Sequence, residues 1–193
     1  RNAPSYITLA DVAGMAARFG VQRWMDSTAW HHAKQPLSYD AMPIFTGALA
    51  ALLASVWLGS AKCIVLDLDN TLWGGVVADD GVEGVRLGPG SAEGEAFQDF
   101  QRYLLELRQR GILLAVCSKN NDAIARAAFE QHDGMLIKLS DLSAFAASFQ
   151  PKADHVRAIA KQLNIGLDTM VFLDDNPVER EQMRQFAPQV RVI

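Results

Sequence analysis

Cysteine is scarce in this sequence, with only Cys63 and Cys117 among 193 residues. Two cysteines cannot build the disulfide framework that is typical of small secreted proteins. Both stand among apolar, strand-like residues, which favours a reducing environment. We therefore expect a cytoplasmic protein.

An excess of basic charge and a long apolar run are also missing. The formal net charge is −4, so no positive field favours a polyanionic nucleic acid. The longest apolar stretch, from Ile44 to Leu58, is shorter than the roughly 20 residues that a helix needs to cross a bilayer. No signal peptide opens the chain, and the first residue, Arg1, suggests an excised domain. We expect neither nucleic acid nor a membrane as a partner.

The character of the sequence changes near Gly59 to Lys62. Before this point, apolar residues at helical spacing predict one helix from about Thr8 to Phe19 and a second, buried helix from Ile44 to Leu58. After it, strand and helix patterns alternate. We therefore predict a helical N-terminal segment at residues 1–60 and an α/β catalytic domain at residues 61–193.

The second part predicts a doubly wound parallel sheet covered by helices. Continuous apolar runs are typical of parallel strands that are buried on both faces. They lie at Ile64–Leu66, Ile112–Val116, Met135–Leu139 and Met170–Leu173, and a last strand begins at Val190. Helical patterns lie between them, around Phe97–Leu107, Asp122–Gln131, Val156–Leu163 and Pro177–Phe186.

Ligands of such sheets bind beyond the carboxyl ends of the strands, and polar residues do gather there in this sequence. Crowded carboxylates need a cation to stay charged together, and Mg²⁺ prefers carboxylate and phosphate oxygens. A carboxylate can also attack phosphorus, while a second one two residues away handles the leaving-group proton. The polar groups are Asp67-Leu68-Asp69-Asn70-Thr71, Cys117-Ser118-Lys119-Asn120, Lys152 and Asp174-Asp175-Asn176. The pattern favours magnesium-dependent phosphoryl chemistry, with Ser118 and Lys152 at the phosphoryl oxygens.

A calcium loop is the main alternative for the Asp-x-Asp motif. An EF-hand loop that began at Asp67 would need Gly at its sixth position and Glu at its twelfth, whereas this sequence has Leu72 and Ala78. Asp67 also follows a predicted strand rather than a helix. The calcium interpretation is therefore disfavoured.

The polar groups resemble the four motifs of the haloacid-dehalogenase-like superfamily, in the same order, over residues 62–193. The resemblance implies a Rossmann-like fold and a Mg²⁺ cofactor. It implies that Asp67 is the nucleophile and a metal ligand and that Asp69 is the general acid/base. The remaining implied roles are phosphate binding by Thr71 and Ser118, charge balance by Lys152, and metal binding by Asp174 and Asp175. We also predict Asp69 as a metal ligand and Lys119 and Asn120 as substrate-binding residues.

Three longer segments are similar to the FkbH-like branch of this superfamily: Leu72–Val76, Val116–Asn120 and Phe172–Arg180. This resemblance implies transfer of a glyceryl-type acyl unit from 1,3-bisphosphoglycerate to an acyl carrier protein in polyketide biosynthesis. It also implies that residues 1–60 are the tail of a preceding hydrolase-like domain. The alternatives are a small-molecule phosphatase without acyl transfer and a non-catalytic domain that binds phosphate or Mg²⁺. The complete motif set disfavours the last.

Cys117 has two interpretations. A thiolate at this position could attack the carbonyl of an acyl phosphate and carry the acyl group as a thioester, with nearby cations lowering the thiol pKa. The other interpretation is a small apolar side chain that fills the end of a buried strand. The resemblance to the FkbH-like branch favours catalysis. Cys63, at the start of a strand, is predicted to be packing.

Two further features concern the surroundings of the site. The segment between Asp67 and Ser118 is too short for a large inserted lid, so we expect an open site without a large cap, which suits a macromolecular partner. Asn176, Pro177 and Glu179 fit the N-cap, N1 and N3 positions of a helix. We therefore predict that Glu179 caps this helix and is not part of the metal site.

Overall fold

The computed structural model describes residues 9–57 and 61–193 of the chain. These residues divide into two compact units, Arg1–Ser60 and Ala61–Ile193. The ends of the two predicted N-terminal helices at Thr8 and Leu58 lie outside the described residues.

The N-terminal unit consists of helices: α1 (Val12–Phe19), α2 (Val21–Trp24), α3 (Ser27–Ala33) and α4 (Met42–Trp57). Helices α1 and α4 confirm that the two patterns are helical, and α2 and α3 occupy the stretch between them. The predicted burial of the second helix is wrong, because Ile44, Leu49 and Leu53 on α4 are exposed. The start of α3 has a local cause, because the Asp26 carboxylate accepts hydrogen bonds from the N–H groups of Thr28 and Ala29. Among the described residues no helix is both long and apolar enough to cross a membrane.

The second unit is built on a five-stranded parallel sheet with the order β3-β2-β1-β4-β5. Its strands are β1 (Cys63–Leu66), β2 (Leu113–Ser118), β3 (Leu142–Ala147), β4 (Met170–Leu173) and β5 (Arg191–Val192). Leu66 is in register with Val116 of β2 and with Leu173 of β4, so these three strands end at the same edge. The predicted doubly wound sheet is confirmed.

Helices cover this sheet: α5 (Val77–Asp80), α6 (Ala92–Gln109), α7 (Asp122–Gln131), α8 (Lys152–Leu163) and α9 (Pro177–Phe186). Successive side chains of a strand point to opposite faces, and β1 follows this rule. Leu66 packs into one apolar cluster with Phe129, while Val65 packs into another with Phe172. Both faces of the sheet are therefore buried, which explains the continuous apolar runs in the sequence.

One predicted strand is wrong. Residues 135–139 form no strand, and the strand beside β2 is Leu142–Ala147 instead. Met135 and Ile137 are buried as their apolar character requires. However, the N–H groups of Leu136 and Ile137 donate to Gln101 Oε1 at 3.0 and 3.3 Å rather than to a neighbouring strand. The buried side-chain amide of Gln101 thus accepts hydrogen bonds from backbone N–H groups that would otherwise need a neighbouring strand as their partner.

The edge of the sheet at which β1, β2 and β4 end carries no large cap in the described residues 61–193. Between β1 and β2 the chain makes a small turn closed by two backbone hydrogen bonds between Gly74 and Arg86, followed by α6, which packs against β2. After β3 the chain enters α8 within a few residues. The site at this edge is consequently open.

Candidate active site

Polar side chains meet at the carboxyl ends of β1, β2 and β4, as the sequence predicted. They surround a cavity of about 200 Å³, which we call the polar pocket. Lys152 comes to the same place because α8 begins there. The pocket is lined by Asp67, Asp69, Asn70, Ser118, Lys119, Lys152, Asp175, Asn176 and Glu179.

A buried ion triad lies at the centre of the site. Lys152 Nζ is 2.6 Å from Asp174 Oδ2 and 3.0 Å from Asp67 Oδ1, and Lys152 is only 4% exposed. Burial alone would lower the pKa of Lys152, but the charge of Asp67 and the contacts with Asp174 outweigh burial, and the pKa is raised. Burial and the charge of Asp67 raise the pKa of Asp174, although Lys152 opposes this. One ammonium group shared by two carboxylates leaves an excess of negative charge.

Three carboxylates are placed to hold a metal ion. Asp67, Asp174 and Asp175 each offer one oxygen, and these oxygens lie within 4.8 Å of one another. Asp67 Oδ1 is buried and, although it is 3.0 Å from Lys152 Nζ, has no properly oriented hydrogen-bond donor among the described residues. The ion pair with Lys152 leaves this oxygen able to accept a further partner, which a cation can supply. The hard oxygen donors fit Mg²⁺ or Ca²⁺, and the small number of protein ligands fits Mg²⁺ better.

Asp69 does not join this cluster, although we predict it from the sequence as a metal ligand. Its Oδ1 accepts hydrogen bonds from Trp73 Nε1 at 2.9 Å and from the Val77 N–H at 3.0 Å, and its Oδ2 accepts one from Asn120 Nδ2 at 2.8 Å. Burial raises the pKa of Asp69 despite these three donors. The geometry fits a fixed acid/base group and gives a metal-binding role of its carboxylate no support.

Three other predicted residues have specific positions. Ser118 is buried and lines the polar pocket. Thr71 Oγ1 accepts a hydrogen bond from the Asp175 N–H at 3.3 Å and faces a neighbouring cavity instead. Asn120 is also buried and contacts Asp69, and it is absent from the pocket lining among the described residues. Its position fits orientation of the acid/base better than substrate contact.

Arg180 is a site residue that the sequence analysis did not single out. Its Nη1 donates to the backbone carbonyls of Asp174 and Asp175, each at 2.7 Å. The Asn176 N–H in turn donates to Asp174 Oδ1 at 2.9 Å. These bonds fix the loop after β4 and therefore the direction of its two carboxylates. The only local signal for this role is an arginine in the first turns of the helix that follows the two aspartates, and arginines are common at such positions on surface helices.

Glu179 also belongs to the site, which corrects the predicted capping box. Asn176 is the N-cap of α9, and its side chain accepts a hydrogen bond from the Val178 N–H as predicted. Glu179, however, does not bond back to the N-cap backbone. Its Oε1 accepts a hydrogen bond from Lys119 Nζ at 2.6 Å, and its side chain lines the polar pocket.

Cys117 is placed in the core rather than in the pocket. It is fully buried in an apolar cluster with Val156 and Met183, and its Sγ donates a weak hydrogen bond to the Lys152 carbonyl oxygen at 3.7 Å. Burial raises the pKa of the Cys117 thiol to about 12, although the Lys152 charge acts in the opposite direction. A neutral, enclosed thiol fits the packing interpretation. Cys63 is likewise buried, as predicted.

A larger cavity of about 500 Å³ adjoins the polar pocket, and we call it the apolar groove. The two cavities share Asn70 and Asp175. Helix α6 supplies much of the wall of the groove. Its lining residues are Asn70, Thr71, Glu93, Ala96, Phe97, Phe100, Leu173, Asp174, Asp175 and Ile193.

One solved structure is highly similar to this chain. It is the N-terminal part of the protein BF1531 from Bacteroides fragilis, which contains a phosphatase domain and is complexed with Mg. The two chains are 44% identical and superpose with a TM-score of 0.84 over 94% of this chain, so the similarity extends into the N-terminal unit. The present chain spans 48% of the length of that chain, or about half. No family model and no curated protein matches.

Similarity to two other solved structures is weak. A HAD family enzyme from Bacteroides thetaiotaomicron, in complex with magnesium and inorganic phosphate, is 11% identical with a TM-score of 0.48, covering 69% of this chain and 93% of that one. The 3-deoxy-D-manno-octulosonate 8-phosphate phosphatase from Moraxella catarrhalis is 20% identical with a TM-score of 0.44, covering 65% and 63%.

The sheet order and the positions of the motifs define the class. The chain has the haloacid-dehalogenase-like fold, with a helical N-terminal unit. The predicted superfamily resemblance is therefore confirmed at the level of the fold, and the FkbH-like branch stays a prediction.

Proposed function

We propose that this chain is a Mg²⁺-dependent phosphatase domain with Asp67 as its nucleophile. The observation that carries the proposal is the buried triad of Lys152 with Asp67 and Asp174, beside which Asp175 completes a set of three carboxylates that could hold a metal ion. The similarity to a Bacteroides fragilis chain that contains a phosphatase domain supports it.

In the first step, an Asp67 oxygen attacks the phosphorus of a phosphate monoester. The bond between phosphorus and the ester oxygen breaks, and Asp69 gives its proton to the departing oxygen. Asp69 Oδ1 already accepts two hydrogen bonds and Oδ2 only one. The proton is therefore held on Oδ2, where a lone pair remains. The products are an alcohol and an aspartyl-phosphate.

In the second step, Asp69 accepts a proton from a water molecule whose oxygen attacks the same phosphorus. The bond between phosphorus and Asp67 breaks, inorganic phosphate leaves, and both aspartates return to their starting states. Lys152 and Ser118 stand where they can stabilise the charge that spreads over the phosphoryl oxygens.

Asp67, Asp174 and Asp175 are the residues that would hold Mg²⁺. The ion supplies positive charge that allows a carboxylate to approach an anionic phosphate. Arg180 and Asn176 keep the loop of the last two ligands in place.

The test is phosphate release from a panel of phosphate monoesters. We expect release in the presence of Mg²⁺, loss of release when EDTA removes the ion, and recovery when Mg²⁺ is added back. Release that is insensitive to chelation would contradict the metal-dependent mechanism. Absence of release from every ester would favour the non-catalytic alternative, a domain that only binds phosphate or Mg²⁺.

A second candidate is acyl loading, in which a glyceryl-type unit passes from 1,3-bisphosphoglycerate to an acyl carrier protein in a polyketide pathway. Two features support it: the sequence similarity to the FkbH-like branch, and the apolar groove that opens beside an uncapped pocket and could hold a carrier-bound thiol arm. On this proposal residues 1–60 are the tail of a preceding hydrolase-like domain. The burial of Cys117 and its raised pKa disfavour a thioester at that residue.

Intact-protein mass spectrometry separates the two candidates. The protein is incubated with Mg²⁺ and fresh 1,3-bisphosphoglycerate, with the Cys117→Ala variant alongside. A glyceryl or phosphoglyceryl adduct that the variant lacks, and that moves to an added carrier protein, would establish acyl loading. Phosphate release by both proteins without an adduct would favour the phosphatase over acyl loading.

A further inference from the structure

Lys119 and Glu179 form an ion pair on the wall of the polar pocket that the proposed mechanism does not use. Lys119 follows Ser118 at the end of β2, and Glu179 lies in the first turn of α9. Lys119 Nζ donates to Glu179 Oε1 at 2.6 Å. The two side chains differ in accessibility, because that of Lys119 is 37% exposed and that of Glu179 is 9% exposed. The lysine is therefore the more accessible partner of the pair.

The second oxygen of Glu179 lacks a partner. Glu179 Oε2 is buried and accepts no hydrogen bond from any described residue. A buried carboxylate oxygen without a donor is costly, and such groups call for an explanation. Glu179 lines the same cavity as Asp67, Ser118 and Lys152, so a molecule bound there can supply the missing donor.

We propose that Glu179 is a specificity-determining residue that accepts a hydrogen bond from a hydroxyl group of the substrate. The substrate class is then a phosphate monoester whose alcohol portion carries a further hydroxyl. Lys119 acts with it, because its partly exposed ammonium group can turn from Glu179 toward the anionic phosphate and leave both Glu179 oxygens free for donors. This inference rests on the proposed phosphatase site.

The chemistry favours a neutral donor over a second anionic group at this position. Glu179 is negatively charged and repels a carboxylate or second phosphate, whereas a hydroxyl supplies the missing hydrogen. A site that is built to bind a hydroxyl discriminates against an analogue that lacks it, because the buried acceptor is then left unpaired.

The experiment compares glycerol 3-phosphate with propyl phosphate, which has the same phosphate and chain but no hydroxyl. Binding of each is measured by calorimetry with Mg²⁺ on the full chain carrying Asp67→Asn, so that turnover does not interfere. The ratio of kcat/KM for the two esters is measured on the chain with Asp67. We expect a preference for glycerol 3-phosphate of about tenfold, the size of one charged hydrogen bond. In Glu179→Ala the preference should fall to near one.

Glu181→Ala is the matched control, because Glu181 is an exposed carboxylate on the same helix that pairs with Arg184. It should keep the full preference. If Glu179→Ala does not fold, Glu179→Gln replaces it and should lose most of the preference. The inference would be overturned if the folded Glu179 variant kept the preference. It would also be overturned if protein with Glu179 bound the two esters equally or bound neither. Preferential binding without turnover by the parent chain would instead contradict the proposed function alone.

Discussion

The polar pocket and the apolar groove lie side by side at the same edge of the sheet, yet their linings are very different. The pocket has about 200 Å³ and is surrounded by carboxylates, two lysines and a serine. The groove has about 500 Å³ and is formed largely by Phe97, Phe100, Ala96 and Leu173. Both are bordered by Asn70 and Asp175. Charge in the pocket suits the reacting phosphate, and apolar surface in the groove suits the part of a substrate that does not react.

This division has a simple physical origin. The pocket is formed by the residues that directly follow strands, where backbone leaves the core and polar side chains can be tolerated. The groove is formed mostly by one side of α6 and by the end of β4, where the partly buried Phe97, Phe100 and Leu173 pack against the apolar core. Changes in the two regions should therefore affect different steps of the reaction.

The largest effect is expected for Lys152→Met in the pocket. Removing the cation leaves Asp67 and Asp174 buried together without compensation, so the free energy of unfolding without Mg²⁺ should fall by about 3–5 kcal/mol. Phosphatase activity should fall by at least about a hundredfold. Urea unfolding and phosphate release measure the two effects. The control is Lys161→Met, an exposed lysine of the same helix; comparable losses in that variant would contradict a special role of Lys152.

The next effect concerns the loop that carries the metal ligands. Arg180→Ala removes the donor to the carbonyls of Asp174 and Asp175, so Mg²⁺ affinity should fall by roughly tenfold or more. Activity should recover at high Mg²⁺. A Mg²⁺ titration of phosphate release tests this, with Arg184→Ala on the same helix as control. An unchanged Mg²⁺ midpoint would show that Arg180 does not position the ligands.

A change in the groove should alter substrate binding more than chemistry. Phe100→Ala removes part of the apolar wall, so KM for a phosphate monoester with an apolar tail should rise by roughly tenfold, with a smaller effect on kcat. Steady-state kinetics check this, and Tyr103→Ala on the exposed side of α6 is the control. Equal effects on esters with and without an apolar tail would contradict the assignment of the groove.

The smallest effect on activity is expected for Cys117. If this residue only fills the core, Cys117→Ala should retain phosphatase activity within a few-fold and lose about 1 kcal/mol of stability. The native thiol should also resist alkylation at neutral pH. The pKa of the Cys117 thiol is about 12 in the folded protein, above the ordinary value of 9.0. The buried neutral thiol therefore contributes fully to the free energy of unfolding below pH 9, and this contribution decreases as pH rises toward 12. Rapid alkylation of native protein would revive a reactive thiol.

The sequence predicted which side chains meet at this edge of the sheet, because strand ends can be recognised. Short apolar runs place β1, β2 and β4; Asp67 and Asp174 directly follow β1 and β4, and Ser118 is the last residue of β2. The edge strand β3 was harder, since Leu142–Ala147 contains small residues and no β-branched ones, whereas Met135–Leu139 has the apolar character of a strand. Burial of the latter depends on Gln101, which lies on a helix far away in the sequence.

Local sequence patterns do not predict the role of residues whose contacts come from distant parts of the chain. Glu179 matches the N3 position of a cap, but its side chain lines the pocket and pairs with Lys119, which directly follows β2 and lies 60 residues away in the sequence. Cys117 and Ser118 are neighbours in sequence, but adjacent residues of a strand point to opposite faces. One therefore enters the core and the other the pocket, and local sequence patterns do not determine which.

The most direct test of the central claim is detection of a phosphoryl group on Asp67. The protein is mixed with a phosphate monoester that it hydrolyses and with Mg²⁺, quenched in acid during turnover, and analysed by mass spectrometry of the intact chain and its peptides. We predict a hydroxylamine-sensitive phosphoryl adduct on the peptide that contains Asp67, and neither adduct nor phosphate release in Asp67→Asn. Phosphate release that persists in Asp67→Asn would contradict the assignment of Asp67 as nucleophile.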